Sequence, residues 1–472
     1  MKHSLLKSFF SSGLQAIAVQ VLGAVFFYVV SLHLPKEDFG VMSWYNALAM
    51  FITTALSFGL EQVVIRRIAA SKTSDWSASA YLFHALGGSV IAFGLLYTAS
   101  HVIGHEHSLK LLPWFFCAQA LIYIGTPFKS FLNAKERFTP YGVIAFTSNL
   151  FKIIFAFWFI VDNTLNIVDV LHILIGCSVF ELAALAFYVL RRSDFQVDFK
   201  FNAYRKLLKE ALPTYFTVIF NSSLSRMDWI LLGVLGTKVA MADYSFAYRA
   251  YEIATMPIMI LAPVILPKFA RLLSQGNGLN REKRHQVNQF FAVEVFLAMC
   301  IPLCLNIVWG PWIGELTQGK YGQSNALQFL ILSLCIPFQF FINLLWTINF
   351  ANKQYNQILK IAVVSALVNL ALDAVMIPLY GGLGAAIAYL ATVLLQTAGH
   401  YRLAQKSVIS FSLLPIAIFS AIGIAAYYSS IFITHIVILR VCFALLVYFS
   451  LSIVLKQISR RHIDTVRLYM RR

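Results

Sequence analysis

Charge is what this sequence has least of: 12% of its 472 residues are charged, against about 25% in an ordinary soluble domain. Hydrophobic residues make up 59%, and the mean hydropathy is +0.74. A chain so poor in charge has too little polar surface to stand in water and belongs in a bilayer. Acidic residues are scarcer than basic ones, 20 against 37 Lys and Arg, which leaves a net charge of +17. Motifs for nucleotide or hydrolytic chemistry are missing: there is no Walker loop, no G-x-S-x-G and no dinucleotide fingerprint. The six cysteines (Cys117, Cys177, Cys300, Cys304, Cys335, Cys442) all fall in apolar stretches and read as small buried hydrophobes, not a disulfide framework or metal site. His105, Glu106 and His107 cluster in HVIGHEH but lack the i, i+4 spacing of helical zinc motifs, so no metal is expected. Long polar connections are absent too; the longest, at 191–210 and 268–286, are both basic. They leave little room for a catalytic domain outside the membrane, which counts against a glycan polymerase or ligase. The first apolar run is long enough to span and lacks a small-residue cleavage site, so no cleaved signal peptide is expected.

What is present is a series of apolar runs of about 20 residues, the length a span requires. There are fourteen, approximately 11–32, 41–60, 79–101, 111–132, 141–161, 167–190, 211–235, 243–267, 287–309, 325–349, 358–377, 382–400, 411–431 and 435–455. The lysines and arginines between them alternate in density. With Lys2 and Lys7 placed in the cytoplasm, the inner segments hold residues such as Arg66, Arg67, Lys129, Arg137, Arg191, Arg192, Lys268 and the basic tail. The outer loops hold Lys36, Lys110, Lys238 and Lys320. This inside bias predicts both termini in the cytoplasm, and it explains the net charge without nucleic acid as a partner. Anionic membrane lipids are a natural contact for the basic tail.

The halves resemble each other. Lys36–Ala47 (KEDFGVMSWYNA) and Lys238–Ala250 (KVAMADYSFAYRA) open equivalent helices. Asn133–Phe138 (NAKERF) and Phe350–Tyr355 (FANKQY) close equivalent ones. The expected fold is therefore an all-α polytopic membrane protein of about fourteen helices. It comprises a six-helix lobe at 1–192, a basic linker at 193–210, a second six-helix lobe at 211–406, two appended helices at 407–456 and a basic tail at 457–472. Two lobes of like orientation form a parallel pseudo-repeat, and a solute site between them is the expectation for such transporters.

Charges inside apolar runs mark the candidate site, because each costs roughly 2.5–3.5 kcal/mol in hydrocarbon even on a lenient scale. Asn221, Ser225 and Asp228 repeat at i, i+4, i+7, with Ser222 and Arg226 on the adjoining strip; Ser245, Arg249 and Glu252 repeat the spacing on the next helix. Each set shares a helix face. Two such stripes can present positive charge to an anionic solute in mid-bilayer, or stitch the two helices together as an ion pair. Lys152 lies mid-span near Asn149, either in the same cavity or paired with Glu181 inside the first bundle. Asp228, Glu252 and Glu181 are the candidates for counter-charge or for binding a coupling H+ or Na+. Gln15, Gln20, Asn46, Asn221, Ser225 and Ser245 are the candidate sugar contacts; such groups also tie helices together, at about 0.6 kcal/mol each. Glu294, Asp373 and Arg440 sit nearer span ends, where snorkelling suffices. Pro257, Pro263, Pro267, Pro302 and Pro337 can act as hinges.

These residues carry a family resemblance that runs nearly end to end. LPKEDFG at 34–40, SFGLEQVVIRRIA at 57–69, MDWILLGVLGTKVAMADYSFAYR at 227–249 and NLALDAVMIPLYGGLGAAIA at 369–388 resemble the polysaccharide (O-antigen type) flippases of the multidrug/oligosaccharidyl-lipid/polysaccharide (MOP) exporter superfamily. The resemblance implies a bacterial inner-membrane flippase, not an enzyme. Its substrate would be an undecaprenyl-pyrophosphate-linked oligosaccharide, moved from the cytoplasmic to the periplasmic leaflet by alternating access through a cation-lined cavity. The implied partners are that polyprenyl-linked glycan, membrane lipids and other membrane proteins of glycan assembly. Arg249 occupies the helix where such flippases place a lumenal arginine. The arginine–aspartate pair that peptidoglycan-precursor flippases carry on their first helix is replaced here by Gln15 and Gln20, which disfavours lipid II as the substrate. A cation-coupled drug exporter of the same superfamily is the alternative; twelve helices and an acidic lumen would favour it.

Overall fold

The computed structural model describes residues 2–70, 76–102, 109–162, 165–258, 281–407, 412–433, 436–459 and 462, with backbone alone at 2–17, 281–284 and 406–407. Among the described residues there are fifteen helices of 11 residues or more and no strand. They are α1 (Lys2–His33), α2 (Lys36–Ser57), α3 (Leu60–Ala70), α4 (Ser77–Val102), α5 (Leu112–Ala134), α6 (Phe138–Val161), α7 (Ile167–Arg192), α8 (Phe201–Leu235), α9 (Lys238–Thr255), α10 (Arg281–Val308), α11 (Ala326–Ala351), α12 (Tyr355–Tyr380), α13 (Gly382–Ser407), α14 (Leu414–Ile431) and α15 (Val437–Val454). Twelve of the described helices are long and apolar enough to cross a membrane. The two other expected spans, 11–32 and 243–267, fall partly outside the described side chains, as do Gln15, Pro263, Pro267 and the His105–Glu106–His107 cluster. The helices turn large apolar side chains outward: Val90, Ile91 and Leu95 on α4 are 70%, 66% and 65% exposed. A bilayer is the environment in which such faces are at no disadvantage.

Contacts divide the chain into two compact units, Met1–Ala242 and Asp243–Arg472. In the first, α5 packs on α2, α4 and α7, α1 on α6, and α2 on α8. In the second, α11 and α12 both pack on α13, while α10 packs on α11 and on the appended pair α14 and α15. Phe296, Phe419 and Tyr448 form the core under that pair, and the Tyr448 hydroxyl donates to the Phe296 carbonyl at 3.0 Å.

Two local features differ from the sequence expectation. The segment 193–210 is not linker throughout, because α8 begins at Phe201 and runs for 35 residues. Its first turns are amphipathic: Leu207 and Ala211 are buried, whereas Arg205, Lys206 and Lys209 are exposed. At 1.5 Å per residue α8 is about 52 Å long, longer than a hydrocarbon core of about 30 Å, so its basic turns project beyond the core. α8 also belongs by contact to the first unit. Gly233 meets Trp44 of α2 so closely that a Cβ would overlap the indole, and the Trp44 Nε1–H donates to the Ile230 carbonyl at 3.2 Å. The second difference is a break after α2. Phe58 and Gly59 adopt positive φ, 50° and 67°, and the chain restarts as α3. The break frees the Leu56 carbonyl, which accepts from the Tyr123 hydroxyl at 3.0 Å and from His84 Nε2 at 2.6 Å. With Nε2 donating, His84 Nδ1 accepts from the Tyr204 hydroxyl at 2.7 Å.

The similarity of NAKERF and FANKQY has a physical basis. After α5, Arg137 N–H donates to Leu132 and Glu136 N–H to Asn133; after α11, Gln354 N–H donates to Asn349 and Lys353 N–H to Phe350. Both are Schellman closures, with the non-glycine residues Glu136 and Lys353 at φ 57° and 61°. The cysteines are free thiols; Cys177 and Cys335 are buried as expected, but Cys442 is exposed on α15, where an apolar thiol meets lipid instead of core.

Candidate functional site

In the first unit the intramembrane charges fall into two sets. The inner set lies among α5, α6 and α7. Lys129 Nζ sits 3.0 Å from Glu181 Oε1, with side-chain exposures of 13% and 7%, and also lies 4.8 Å from the Tyr141 ring centroid. Lys152 is buried, and its Nζ donates to Asn149 Oδ1 at 3.3 Å; Glu181 is within electrostatic reach of it. The sequence offered Lys152 as the partner of Glu181 and placed Lys129 in a cytoplasmic segment. The structure instead draws Lys129, near the end of α5, inward to Glu181. Its four-carbon stem reaches back along the helix, a reach that position in a span does not convey.

The other set lies on α8. Asp228 is fully buried, and its Oδ1 accepts from the Trp229 N–H at 2.8 Å. The Arg226 guanidinium lies 5.3 Å from the Trp229 ring centroid. Asn221 and Ser225 are exposed, and the Ser225 hydroxyl donates back to the Asn221 carbonyl at 3.0 Å. The i, i+4, i+7 stripe thus runs from open surface into the packed interior. Gln20 is exposed on α1 and Asn46 is half-buried on α2. Thr53 and Ser57, below Asn46, donate to carbonyls of their own helix.

In the second unit α9 carries the other cation. Arg249 Nη1 lies 2.8 Å from Glu252 Oε2, with side-chain exposures of 33% and 24%. The pair is therefore open to a solute at one side. Ser245, one turn away, is fully buried. Behind Arg249 stands a tyrosine wall. Tyr244, Tyr248 and Tyr251 recur along α9 with ring centroids 5.7 and 5.4 Å apart. The Tyr251 and Tyr389 hydroxyls are 3.1 Å apart, and Gln339 Nε2 donates to Tyr389 at 3.2 Å. The start of α9 is held by Asp243, whose Oδ1 accepts from the Ser324 hydroxyl at 2.8 Å and whose carbonyl accepts from Asn325 at 3.1 Å. The wall fixes the helix rotation that presents Arg249. Its signal in the sequence is the i, i+4, i+7 spacing of the tyrosines, on the face adjoining the charged stripe.

Glu294 and Asp373, near span ends in the sequence, are deeply placed. Glu294 on α10 is 5% exposed, and neither carboxylate oxygen has a hydrogen-bond partner among the described residues. Asp373 on α12 is fully buried in line with Asn369 and Ser365, each 1% exposed. No group of three metal-ligating side chains occurs among the described residues.

Residues 5–273, more than half of the chain, match the family model for polysaccharide biosynthesis proteins. The chain belongs to this family. Among solved structures it is similar to the lipid II flippase MurJ in an inward closed conformation, with a TM-score of 0.76 at 15% identity over 94% of this chain and 98% of that one. It is also similar to an inward-facing multidrug resistance MATE transporter of the MOP superfamily, with a TM-score of 0.66 at 13% identity over 84% of this chain and 98% of that one. A MATE transporter from Vibrio cholerae gives 0.60 at 16% identity over 86% and 97%. Comparison with curated protein sequences found no match. At these identities the structural likeness is one of fold. Together, the family match and the twelve candidate spans make this polysaccharide biosynthesis protein a multi-pass membrane protein, with a fold like that of the MurJ and MATE structures.

Proposed function

We propose that this chain is a flippase that moves a polyprenyl-pyrophosphate-linked oligosaccharide from the cytoplasmic to the periplasmic leaflet of a bacterial inner membrane, by alternating access. The observation that carries the reading is Arg249, a half-open intramembrane arginine on a tyrosine-backed helix, in a chain of a polysaccharide biosynthesis family. A pyrophosphate in a low-dielectric cavity requires counter-charge, since the Coulomb term grows as the dielectric falls. Arg249 supplies it by exchanging Glu252 for the substrate anion. In the first unit, Arg226 on α8 is a further candidate cation for the substrate anion, whereas Lys152 is buried and not available for contact. Glu252 holds Arg249 between cycles, and a coupling H+ or Na+ bound at Asp228 or Glu252 would drive the return. Exposed Gln20, Asn221 and Ser225 and half-buried Asn46 suit sugar hydroxyls; buried Ser245 suits helix packing.

The test is leaflet exchange of a polyprenyl-pyrophosphate glycan by the purified chain in liposomes, with a cationic dye as control. Wild type is expected to move the glycan, and Arg249→Glu to lose that movement at unchanged expression. Full activity in Arg249→Glu removes Arg249 from the site. Dye efflux without glycan movement assigns the chain to the drug-exporter branch.

A further inference from the structure

The first unit carries a basic pocket that the transport reading does not use. It has a volume of about 800 Å³ and lies where α3, the start of α4 and the first turn of α8 meet. Arg67, Trp76, Lys200, Phe201, Asn202 and Lys206 line it, and no carboxylate does. Arg67 is pre-oriented: Glu210 grips its Nε and Nη2 at 2.9 and 2.6 Å, and its guanidinium lies 5.6 Å from the Trp76 ring centroid. Arg66 shares Glu210. Lys200 pairs with the exposed Asp198 at 3.1 Å. Lys206 is exposed with no ion-pair partner among the described residues, and Arg205 and Lys209 are exposed beside it.

An apolar ledge adjoins these cations. In the segment leading into α8, Val197, Phe199 and Phe201 are 60%, 43% and 67% exposed. The segment is pinned, so the exposure is built in. Phe195 packs between Phe128 and Phe131, the Asp198 N–H donates to the Ser79 hydroxyl at 2.9 Å, and Phe199 keeps one face on Phe83 and Tyr204. A cationic pocket facing water would attract any anion, and an apolar ledge alone would mark plain hydrocarbon. Side by side they match the headgroup level of a bilayer, where phosphate and acyl chain meet within a few ångströms.

We propose that this pocket binds the phosphate of an anionic phospholipid in the leaflet it faces, with Val197, Phe199 and Phe201 seated at the boundary between headgroups and acyl chains. By the inside bias of Lys and Arg, that leaflet is the cytoplasmic one. Arg67, held by Glu210 through Nε and Nη2, keeps Nη1 and the second Nη2 hydrogen for the phosphate oxygens. Lys200 and Lys206 add point charges, each worth about fivefold in preference near an anionic surface. The site stands apart from the glycan reading and does not depend on it.

Trp76 makes the site observable. The full chain is reconstituted in phosphatidylcholine vesicles containing brominated phosphatidylglycerol or, at equal mole fraction, brominated phosphatidylcholine. Bromine quenches indole on contact, and subtraction of a Trp76→Phe variant isolates Trp76 from the other tryptophans. The expected result is stronger quenching of Trp76 by the anionic lipid, with the preference falling about fivefold for each of Lys200→Gln and Lys206→Gln. Lys→Arg at both positions should restore it. Both lysines are exposed, so the variants are expected to keep the wild-type elution profile. Equal quenching by the two lipids, or a preference unmoved by the lysine variants, overturns the proposal. Release of the quenching by millimolar inorganic pyrophosphate with the lipid unchanged also overturns it, since the pocket would then take its phosphate from water. Glycan exchange read in the same vesicles fails or succeeds independently.

Discussion

The Lys129–Glu181 pair allows a sharp test of which intramembrane charges are structural. Replacing Glu181 by Gln keeps the shape of the side chain and removes its charge. Lys129, with a side chain 13% exposed, then loses its partner, and buried Lys152 loses a carboxylate within its electrostatic reach. Removing one member of a buried pair costs about 3–5 kcal/mol, because the remaining charge is stranded. For a unit as large as Met1–Ala242, each kcal/mol lowers Tm by about 2–4 °C, so Glu181→Gln is expected to lower Tm by roughly 6–20 °C. The double variant Lys129→Met/Glu181→Leu removes both charges and replaces them with apolar side chains of similar bulk. It should recover the share of the loss caused by stranding Lys129, since a buried pair and a well-packed apolar pair are often near equal in stability, while Lys152 stays without its carboxylate. The assay is thermal unfolding of the detergent-solubilised chain, followed by thiol labelling or intrinsic fluorescence. A fall of less than about 2 °C for Glu181→Gln refutes the buried-pair reasoning. A double variant as unstable as the single one shows that the stranded Lys129 charge was not the source of the loss.

Two further outcomes follow from the packing. Gly233→Ala sets a methyl group into the Trp44 indole and is expected to cost about 1–3 kcal/mol through overpacking; Gly233→Ala combined with Trp44→Leu should unfold at a higher temperature than Gly233→Ala alone, and a lower one would refute the clash. Glu294→Leu replaces a buried carboxylate that has no hydrogen-bond partner among the described residues, and a gain of at least about 1 kcal/mol in thermal stability is expected because the desolvation penalty disappears; a loss of stability would mean that Glu294 has a partner when the protein sits in lipid.

Much of the architecture was legible because a bilayer reduces the choice of structure. Without water, backbone groups must bond within a segment, so an apolar run of about 20 residues becomes a helix whatever its detailed order. Composition, run length and the alternation of Lys and Arg therefore sufficed for the all-α class and for most of the spans. Even the short repeat NAKERF/FANKQY carried real geometry, because a helix closure is a local matter of six residues. The i, i+4, i+7 rule likewise placed Arg249 and Glu252 on one face, three residues apart and in contact.

Tertiary structure decided the rest, for reasons that lie between segments. Which carboxylate meets which lysine depends on how long side chains reach across a bundle, so Lys129 and not Lys152 closes on Glu181. Whether a polar stripe is open depends on its neighbours: Asp228 and Ser245 are buried, while Asn221 and Ser225 on the same kind of stripe are exposed. Depth in a span does not measure burial either, since Glu294 and Asp373 near span ends are enclosed by packing. The basic pocket at Arg67 and Lys206 joins residues more than a hundred positions apart. The chain alone specified helices and their charges; only the packing of helix on helix set which charges are paired, which are enclosed and which are left for a partner.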